Sequence, residues 1–136
     1  MKGYNVIAVF DVENSCVLLC KRRKDPYKNL YNLVGGKIEP DETHIAAAYR
    51  ELFEETSITS DSVDLVHIMD YKYYIDDCFI EVYAGVLKHS VEVSGDENEL
   101  EWVPLSSNFC DSLRFAGNGN LSHVIHNCME CLDMQL

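Results

Sequence analysis

The sequence contains no long run of apolar residues. The apolar stretch within MKGYNVIAVFDVENS is too short for a signal-peptide core and is not followed by a small-residue cleavage site. No segment reaches the roughly 20 apolar residues that a membrane-spanning helix needs. We therefore expect a cytoplasmic protein with no membrane partner, in which the six cysteines are reduced thiols.

Basic residues are also scarce. The chain has 11 Lys and Arg against 23 Asp and Glu, which gives a formal net charge of −12. A negative field of that size disfavours binding to a nucleic-acid polymer or to an anionic membrane surface. It does not exclude a small phosphate ligand, because a divalent cation can bridge phosphate to carboxylates while a few local Lys or Arg contact the rest.

Linkers, internal repeats and low-complexity segments are absent, so the 136 residues suit one domain, 1–136. Apolar and β-branched runs predict strands at residues 4–10, 16–20, 31–34, 63–75, 78–87 and 100–103. Helical patterns follow Thr43 and cover residues 121–134. Hairpins interrupted by two helices predict the α/β class, with a mixed sheet and helices on its faces.

The segment GKIEPDETHIAAAYRELFEETSI, residues 36–58, places acidic residues close together on the first predicted helix. Thr43 is a suitable N-cap. An apolar stripe predicts the buried face of this helix: Ile45, Ala48, Tyr49 and Leu52. Glu51, Glu54 and Glu55 share a different face at i, i+3 and i+4. Because like charges at that spacing repel, we expect a compensating cation, and oxygen ligands suit Mg²⁺ or Mn²⁺.

A fixed spacing of residues connects this helix to the Gly35–Gly36 pair, which we expect to form a turn. The pattern G-x5-E-x7-R-E-U-x-E-E-x-G-U, with U a bulky aliphatic residue, is matched at eight positions: Gly36, Glu42, Arg50, Glu51, Leu52, Glu54, Glu55 and Ile58. With the LVGGKIEP approach and the later E-x-W-V-P strand, the chain resembles the Nudix hydrolases of the MutT type. The resemblance covers most of the chain and implies an α/β/α sandwich, in which the Nudix helix and a C-terminal helix flank the sheet.

The resemblance also implies a set of roles in hydrolysis. Candidate ligands of Mg²⁺, with Mn²⁺ as the alternative, are the Gly36 carbonyl, Glu51, Glu54, Glu55 and Glu97. Arg50 would orient the glutamates, and Glu42 would support the loop or a second metal. Glu54 is the first candidate for the general base, and Glu97 and Glu99 are the alternatives. The simpler interpretation is a solvated acidic helix face.

One position departs from the family pattern. Ser57 stands where the family has its second glycine. The helix ends there, and such a position is often left-handed. We expect a cost of roughly 1 kcal/mol for a residue with a side chain and no effect on the chemistry.

Substrate contacts lie outside the motif. Three basic residues are candidates for phosphate or ribose: Arg22, Arg23 and Lys37. The run 21–24 can equally be a solvated loop. Asn120 is the first candidate for reading a purine edge, because MutT-type enzymes have an Asn at a similar place, and Asn118 is the alternative. A Gly/Asn turn with Asn120 as N-cap is the competing interpretation.

Other side chains have weaker assignments. A stacking wall for a base can come from some of the aromatic residues Tyr71, Tyr73, Tyr74, Phe79 and Tyr83. Four histidines, at positions 67, 89, 123 and 126, show no ligand spacing with the glutamates and are interpreted as structural or surface residues. Cys128 and Cys131 form a lone CxxC, interpreted as two small residues on the last helix rather than a zinc or redox site.

The leading hypothesis is therefore a Mg²⁺-dependent hydrolase that acts on a nucleoside diphosphate linked to another group. The preferred substrate is a nucleoside triphosphate, such as an oxidised purine triphosphate of the 8-oxo-dGTP type, cleaved to monophosphate and pyrophosphate. The alternatives are an ADP-ribose or nucleotide-sugar pyrophosphatase and a nucleotide-sensing module that does not hydrolyse. A homodimer is compatible with the sequence, but no residue specifies one.

Overall fold

The chain folds around one mixed β-sheet covered by a helix on each face. The computed structural model describes residues 1–134, and the elements in chain order are β1 (Lys2–Phe10), β2 (Cys16–Lys21), β3 (Tyr31–Asn32), β4 (Val34–Lys37), α1 (His44–Thr56), β5 (Val66–Tyr73), β6 (Cys78–Val86), β7 (Glu99–Pro104) and α2 (Asn120–Cys131). The α/β class and the mixed sheet predicted from the sequence are confirmed.

The sheet has the order β3-β2-β1-β6-β5, with β4 paired to β1 and β7 paired to β2. Strands β1 and β6 run parallel, and the other pairs are antiparallel. Strand β1 is central because its N-terminal half pairs with β4 on one side, while all of it pairs with β6 on the other. Residues 7–10 of β1 and 17–20 of β2 are buried without interruption, since helices cover both faces.

Two apolar layers hold the helices on the sheet. Helix α1 contributes Ala48 and Leu52 to the layer that contains Ile7, Val9 and the inner residues of β2. Helix α2 contributes a stripe to the layer on the opposite face, formed by Leu121, Val124, Ile125, Cys128 and Met129. The glutamates of α1 are therefore held against one face of the sheet, at the end where β4 lies.

The glycine pair does not form the predicted turn. Gly35 and Gly36 lie within β4 and pair with Val6 and Asn5 of β1. Gly35 has a φ of 149°, and a Cβ atom there would overlap the backbone carbonyl of Asn5. The pair is thus required by the close approach of two strands rather than by a reversal of the chain.

Helix α1 begins and ends as the sequence predicts, but its buried face is shifted. Thr43 is the N-cap, and its hydroxyl accepts a hydrogen bond from the Ala46 N–H at 3.3 Å. Ile45, predicted to be buried, is 41% exposed, and Ala47 is fully buried instead. The buried stripe of α1 therefore runs through Ala47, Ala48 and Leu52, and Ile45 in the first turn lies outside it.

Two further boundaries differ from the prediction. The strand predicted at 63–75 extends only over Val66–Tyr73, and Ile75 lies fully exposed in the turn that leads to β6. Helix α2 ends at Cys131 rather than at residue 134. Within residues 1–134, no helix has the length and apolar character needed to span a membrane.

Candidate functional site

The acidic face of α1 forms one wall of a cavity of about 530 Å³. Glu51, Glu54 and Glu55 contribute this wall, and Gly35 and Gly36 of β4 lie beside these carboxylates. The remaining lining comes from Cys20, Leu100 and the loop that precedes β7. The motif spacing thus brings three carboxylates and the edge of a strand to one cavity.

Arg50 is bonded to several acidic residues at once. Its Nε and Nη2 atoms donate to the two carboxylate oxygens of Glu42, at 2.9 and 2.6 Å. Its Nη1 atom donates to Glu51 at 3.0 Å and to Glu54 at 3.2 Å. Its Nη2 atom also donates to the Lys37 carbonyl at 3.0 Å. The guanidinium therefore fixes two glutamates of α1 and ties the helix to the preceding loop.

The carboxylates differ in electrostatic environment. Hydrogen bonds from Arg50 lower the pKa of Glu42 to about 2. Burial raises the pKa of Glu51, and the neighbouring charges of Glu54 and Glu42 act in the same direction. Burial also raises the pKa of Glu55 to about 7, although its carboxylate accepts a hydrogen bond from the Gly35 N–H at 3.1 Å. Negative charge on Glu51 and Glu55 is thus destabilised, which favours a nearby cation.

The donor set fits a divalent cation of the Mg²⁺ class. The carboxylates of Glu51, Glu54 and Glu55 supply hard oxygen atoms around one cavity. Gly36 lies so close to the Glu51 carboxylate that a Cβ atom there would overlap it. A larger residue there would displace the Glu51 carboxylate, so glycine lets the strand backbone and this carboxylate lie side by side, as a carbonyl ligand requires.

The loop before β7 also lines the cavity. Asp96, Glu97 and Asn98 line it, whereas Glu99 already belongs to β7 and lines a different depression. The Asn98 side chain accepts a hydrogen bond from the Arg23 N–H at 3.1 Å. Of Glu97 and Glu99, the two alternatives to Glu54 as general base, Glu97 is therefore the one that shares a cavity with the carboxylates.

The basic segment after β2 lies next to these carboxylates. Arg22 and Lys24 line a depression together with Glu55 and Glu97. The Nε atom of Arg22 donates to the Pro26 carbonyl at 2.7 Å, which holds the loop in a fixed shape. Arg23 and Lys24 are exposed and Arg22 is partly exposed, as in a solvated loop, and the segment also borders the site.

A second cleft, here called the aromatic cleft, has a volume of about 170 Å³ and opens on the α2 side of the sheet. Tyr71 and Tyr73 of β5, Tyr27 and Asn120 line it. Asn120 is the first residue of α2, and it makes no capping hydrogen bond because Gly119 is the N-cap. The interpretation of Asn120 as an N-cap is therefore wrong, and its amide lies in the cleft.

The carboxylate cavity and the aromatic cleft lie on either side of residues 32–36. Asn32 and Leu33 line the aromatic cleft, whereas Gly35 and Gly36 line the carboxylate cavity. Asn118, the alternative to Asn120, has a φ of 52° in the turn before α2 and is not among the residues that line this cleft.

Several candidates lie elsewhere. Tyr83 is buried beneath α1, and Tyr74 lies exposed in the turn after β5, so neither belongs to a stacking wall. Phe79 and Lys37 line another depression near the start of β1. Strand alternation explains the positions of Phe79 and Tyr83, because Ile80 of the same strand lines the cleft and residues an odd number of positions away face the other side of the sheet.

Sequence reasoning missed two side chains that shape the site. Asn5 is 2% exposed, and its Oδ1 atom accepts a hydrogen bond from the Gly36 N–H at 3.0 Å. Asn98 holds the loop that carries Glu97. Neither residue belongs to a motif, and strand pairing and loop contacts alone bring them to the site.

The comparisons with known proteins place these features in a family. The chain matches the NUDIX domain model over residues 1–127. It is 30% identical over 103 residues to 8-oxo-dGDP phosphatase NUDT18 of Mus musculus, a match covering 74% of this chain and 32% of that protein. The chain thus spans about a third of that relative's length.

Two solved structures have the same fold. The NUDIX domain of Shewanella oneidensis NrtR, complexed with ADP ribose, gives a TM-score of 0.74 at 18% identity, over 96% of this chain and 87% of that chain. A MutT structure from work on Aliivibrio salmonicida and Vibrio cholerae gives 0.73 at 18% identity, over 95% and 98%. At these identities the likeness concerns the fold alone.

Proposed function

The chain belongs to the Nudix family, and on this premise we propose that it hydrolyses a phosphoric anhydride bond in a purine nucleoside di- or triphosphate, with a divalent cation. The observation that carries the proposal is the convergence of Glu51, Glu54 and Glu55 on one cavity beside β4. Arg50 and Gly36, which a solvated acidic helix would not need, support it through their contacts with the same carboxylates.

Four groups would hold the cation, namely the carboxylates of Glu51, Glu54 and Glu55 and the carbonyl of Gly36. Bound Mg²⁺ or Mn²⁺ would neutralise charge that develops on the phosphate oxygens and would lower the pKa of a water molecule. Arg50 contributes by fixing the carboxylates of Glu51 and Glu54 before the substrate arrives, which lowers the cost of organising the site.

The proton of the attacking water requires a base. Glu54 is our first assignment, because it lines the cavity and is the more exposed of the two α1 glutamates bound by Arg50, Glu51 and Glu54. As the water oxygen bonds to phosphorus, Glu54 takes its proton, and the bridging oxygen leaves with the departing phosphate. Glu97 is the alternative base, since it lines the same cavity from the loop before β7.

The nucleoside end would occupy the aromatic cleft. Tyr71 and Tyr73 offer ring surfaces for stacking, and the Asn120 amide can donate and accept on a purine edge. Arg22 and Arg23 lie where terminal phosphates would need positive charge. A nucleotide bound in this way crosses the segment 32–36, with its base in the cleft and its phosphates at the carboxylates.

An oxidised guanine nucleotide is the first substrate to test. The mouse relative is named for action on 8-oxo-dGDP. A diphosphate gives monophosphate and orthophosphate, whereas a triphosphate cleaved between its α- and β-phosphates gives monophosphate and pyrophosphate. The released anion therefore distinguishes the two substrates directly.

The test is a turnover screen in which every product is identified. The purified chain is incubated with Mg²⁺, and separately with Mn²⁺, and with 8-oxo-dGDP, 8-oxo-dGTP, their unoxidised counterparts or ADP-ribose. Glu54→Gln and Glu97→Gln are compared with Glu13→Gln, because Glu13 lies in the exposed turn between β1 and β2. We expect the variant of the true base to lose about 10²- to 10⁴-fold in kcat and the control to lose none.

Each alternative has its own outcome. If Glu54→Gln turns over at the parent rate and Glu97→Gln is slow, Glu97 is the base. Cleavage of ADP-ribose alone would reassign the chain to nucleotide-sugar hydrolysis. If nucleotides stabilise the chain against heat but no product forms, the chain is a nucleotide-sensing module rather than an enzyme.

A further inference from the structure

A second polar cluster lies at β5 and β6, away from the carboxylate cavity. Glu81 of β6 is 6% exposed, an unusual burial for a carboxylate. Its Oε1 atom accepts a hydrogen bond from the Tyr83 hydroxyl at 2.9 Å, and its Oε2 atom lies 2.8 Å from His44 Nδ1. Nearby on β5, His67 Nε2 lies 2.6 Å from Asp70 Oδ1.

A β-bulge creates this cluster. In a regular strand His67 and Asp70 would point to opposite faces, because side chains alternate with a period of two. The register shifts between His67 and Met69, so that His67 pairs with Tyr83 and Asp70 pairs with Glu81. The extra residue turns both side chains to the face that carries Glu81, as bulges do where a side chain must be re-aimed.

The three side chains form a ligand set for a transition metal. One ligand atom each from His67, Asp70 and Glu81 lies within 4.8 Å of the others. An imidazole nitrogen and two carboxylate oxygens suit Zn²⁺ and related ions, whereas the oxygen-only set on α1 suits Mg²⁺.

Neighbouring groups already orient these ligands. The His67 ring stacks on the Tyr83 ring at 4.8 Å between centroids, and the Tyr83 hydroxyl bonds to Glu81. One aromatic residue therefore fixes both a histidine and a carboxylate, which is how outer groups support a metal site. His67 and Asp70 are each more than 40% exposed, so an ion can reach them from solvent.

We propose that His67, Asp70 and Glu81 bind one transition-metal ion of the Zn²⁺ class, at a site separate from the carboxylate cavity. Glu81 pairs with Asn5, and Asn5 pairs with Gly36, so two strand spacings, about 10 Å, separate the two regions. The bound ion would join the bulge of β5 to β6. The proposal does not depend on the hydrolytic function.

The test is a Zn²⁺ titration by calorimetry in millimolar Mg²⁺, which occupies sites made only of oxygen ligands. Cys110 and Cys131 are replaced by Ser throughout, because exposed thiols bind zinc. His67→Ala and Asp70→Asn are compared with His126→Ala, which removes an exposed histidine of α2 paired with Glu130. Thermal unfolding without zinc establishes that each variant is folded.

We expect one equivalent of Zn²⁺, bound more than about tenfold more weakly in His67→Ala and Asp70→Asn and unchanged in His126→Ala. Co²⁺ in place of Zn²⁺ should give visible absorption bands that both site variants lose. Equal zinc affinity in all variants, or no zinc uptake, would overturn the proposal and leave a hydrogen-bonded cluster. The zinc titration does not measure hydrolysis, so a negative result would refute the zinc site without bearing on the proposed function.

Discussion

Ser57 offers a measurable test of how α1 ends. It is the C-cap of the helix, with φ 68° and ψ 10°, and its N–H donates to the Phe53 carbonyl at 2.8 Å. A residue with a Cβ atom in this left-handed conformation costs roughly 1 kcal/mol relative to glycine. The Ser57 hydroxyl offsets part of that cost, because it donates to the Ser94 carbonyl at 3.2 Å and contacts the Ser94 hydroxyl at 3.0 Å.

Two substitutions separate these effects. Ser57→Gly removes the conformational cost and also the exposed hydrogen bonds, which are worth about 0.5 kcal/mol, so the variant should gain about 0.5 kcal/mol in the free energy of unfolding. Ser57→Ala loses the hydrogen bonds and keeps the cost, so it should lose about 0.5 kcal/mol. The two variants should therefore differ by about 1 kcal/mol, or by about 4 °C in Tm.

Urea denaturation followed by circular dichroism measures both variants against the parent chain. Equal stability of the glycine and alanine variants would refute the assignment of strain to Ser57. The carboxylate cavity, as described for residues 1–134, is not lined by Ser57. Turnover should therefore be the same in both variants, and a change of more than about threefold would show that the helix end affects the site.

Three further predictions concern the interior of the site. The pKa of Glu55 is raised from an ordinary 4.5 to about 7, so between these values the metal-free folded chain retains a proton that the unfolded chain has lost. Stability should therefore fall by about 1 kcal/mol per pH unit as the pH rises from about 5 to about 7. Glu55→Gln should remove this slope, and its persistence would point to another group. Arg50→Lys keeps the positive charge but loses the two-pronged guanidinium that binds both carboxylate oxygens of Glu42. The pKa of Glu42 should therefore rise above about 2 in an NMR titration, and kcat should fall by about 10- to 100-fold. An unchanged Glu42 pKa would contradict the assigned contacts. Asn5→Leu removes the acceptor of the Gly36 N–H. The free energy of unfolding, measured by urea denaturation, should fall by about 1–3 kcal/mol. Unchanged stability would mean that the Gly36 N–H finds another acceptor.

The acidic helix and the shared face of its glutamates were largely predictable from the sequence. The Thr43 cap, the shared face of Glu51, Glu54 and Glu55, and the left-handed Ser57 depend on contacts within a few residues along one helix. Helix geometry fixes such contacts wherever the helix lies, so spacing alone was sufficient. The mixed sheet followed in the same way from hairpin signals and two helical patterns.

The tertiary structure decided which distant groups meet. Pairing of β4 with β1 placed Gly35 and Gly36 in a strand, and the packing of α1 on the sheet buried Ala47 rather than Ile45. The bulge in β5 turned His67 towards Glu81, which alternation along a regular strand would have forbidden. Such contacts depend on register between strands far apart in the chain, and a shift by one residue reverses every side chain. The sequence by itself therefore determined the acidic helix, while only the folded sheet determined what surrounds that helix.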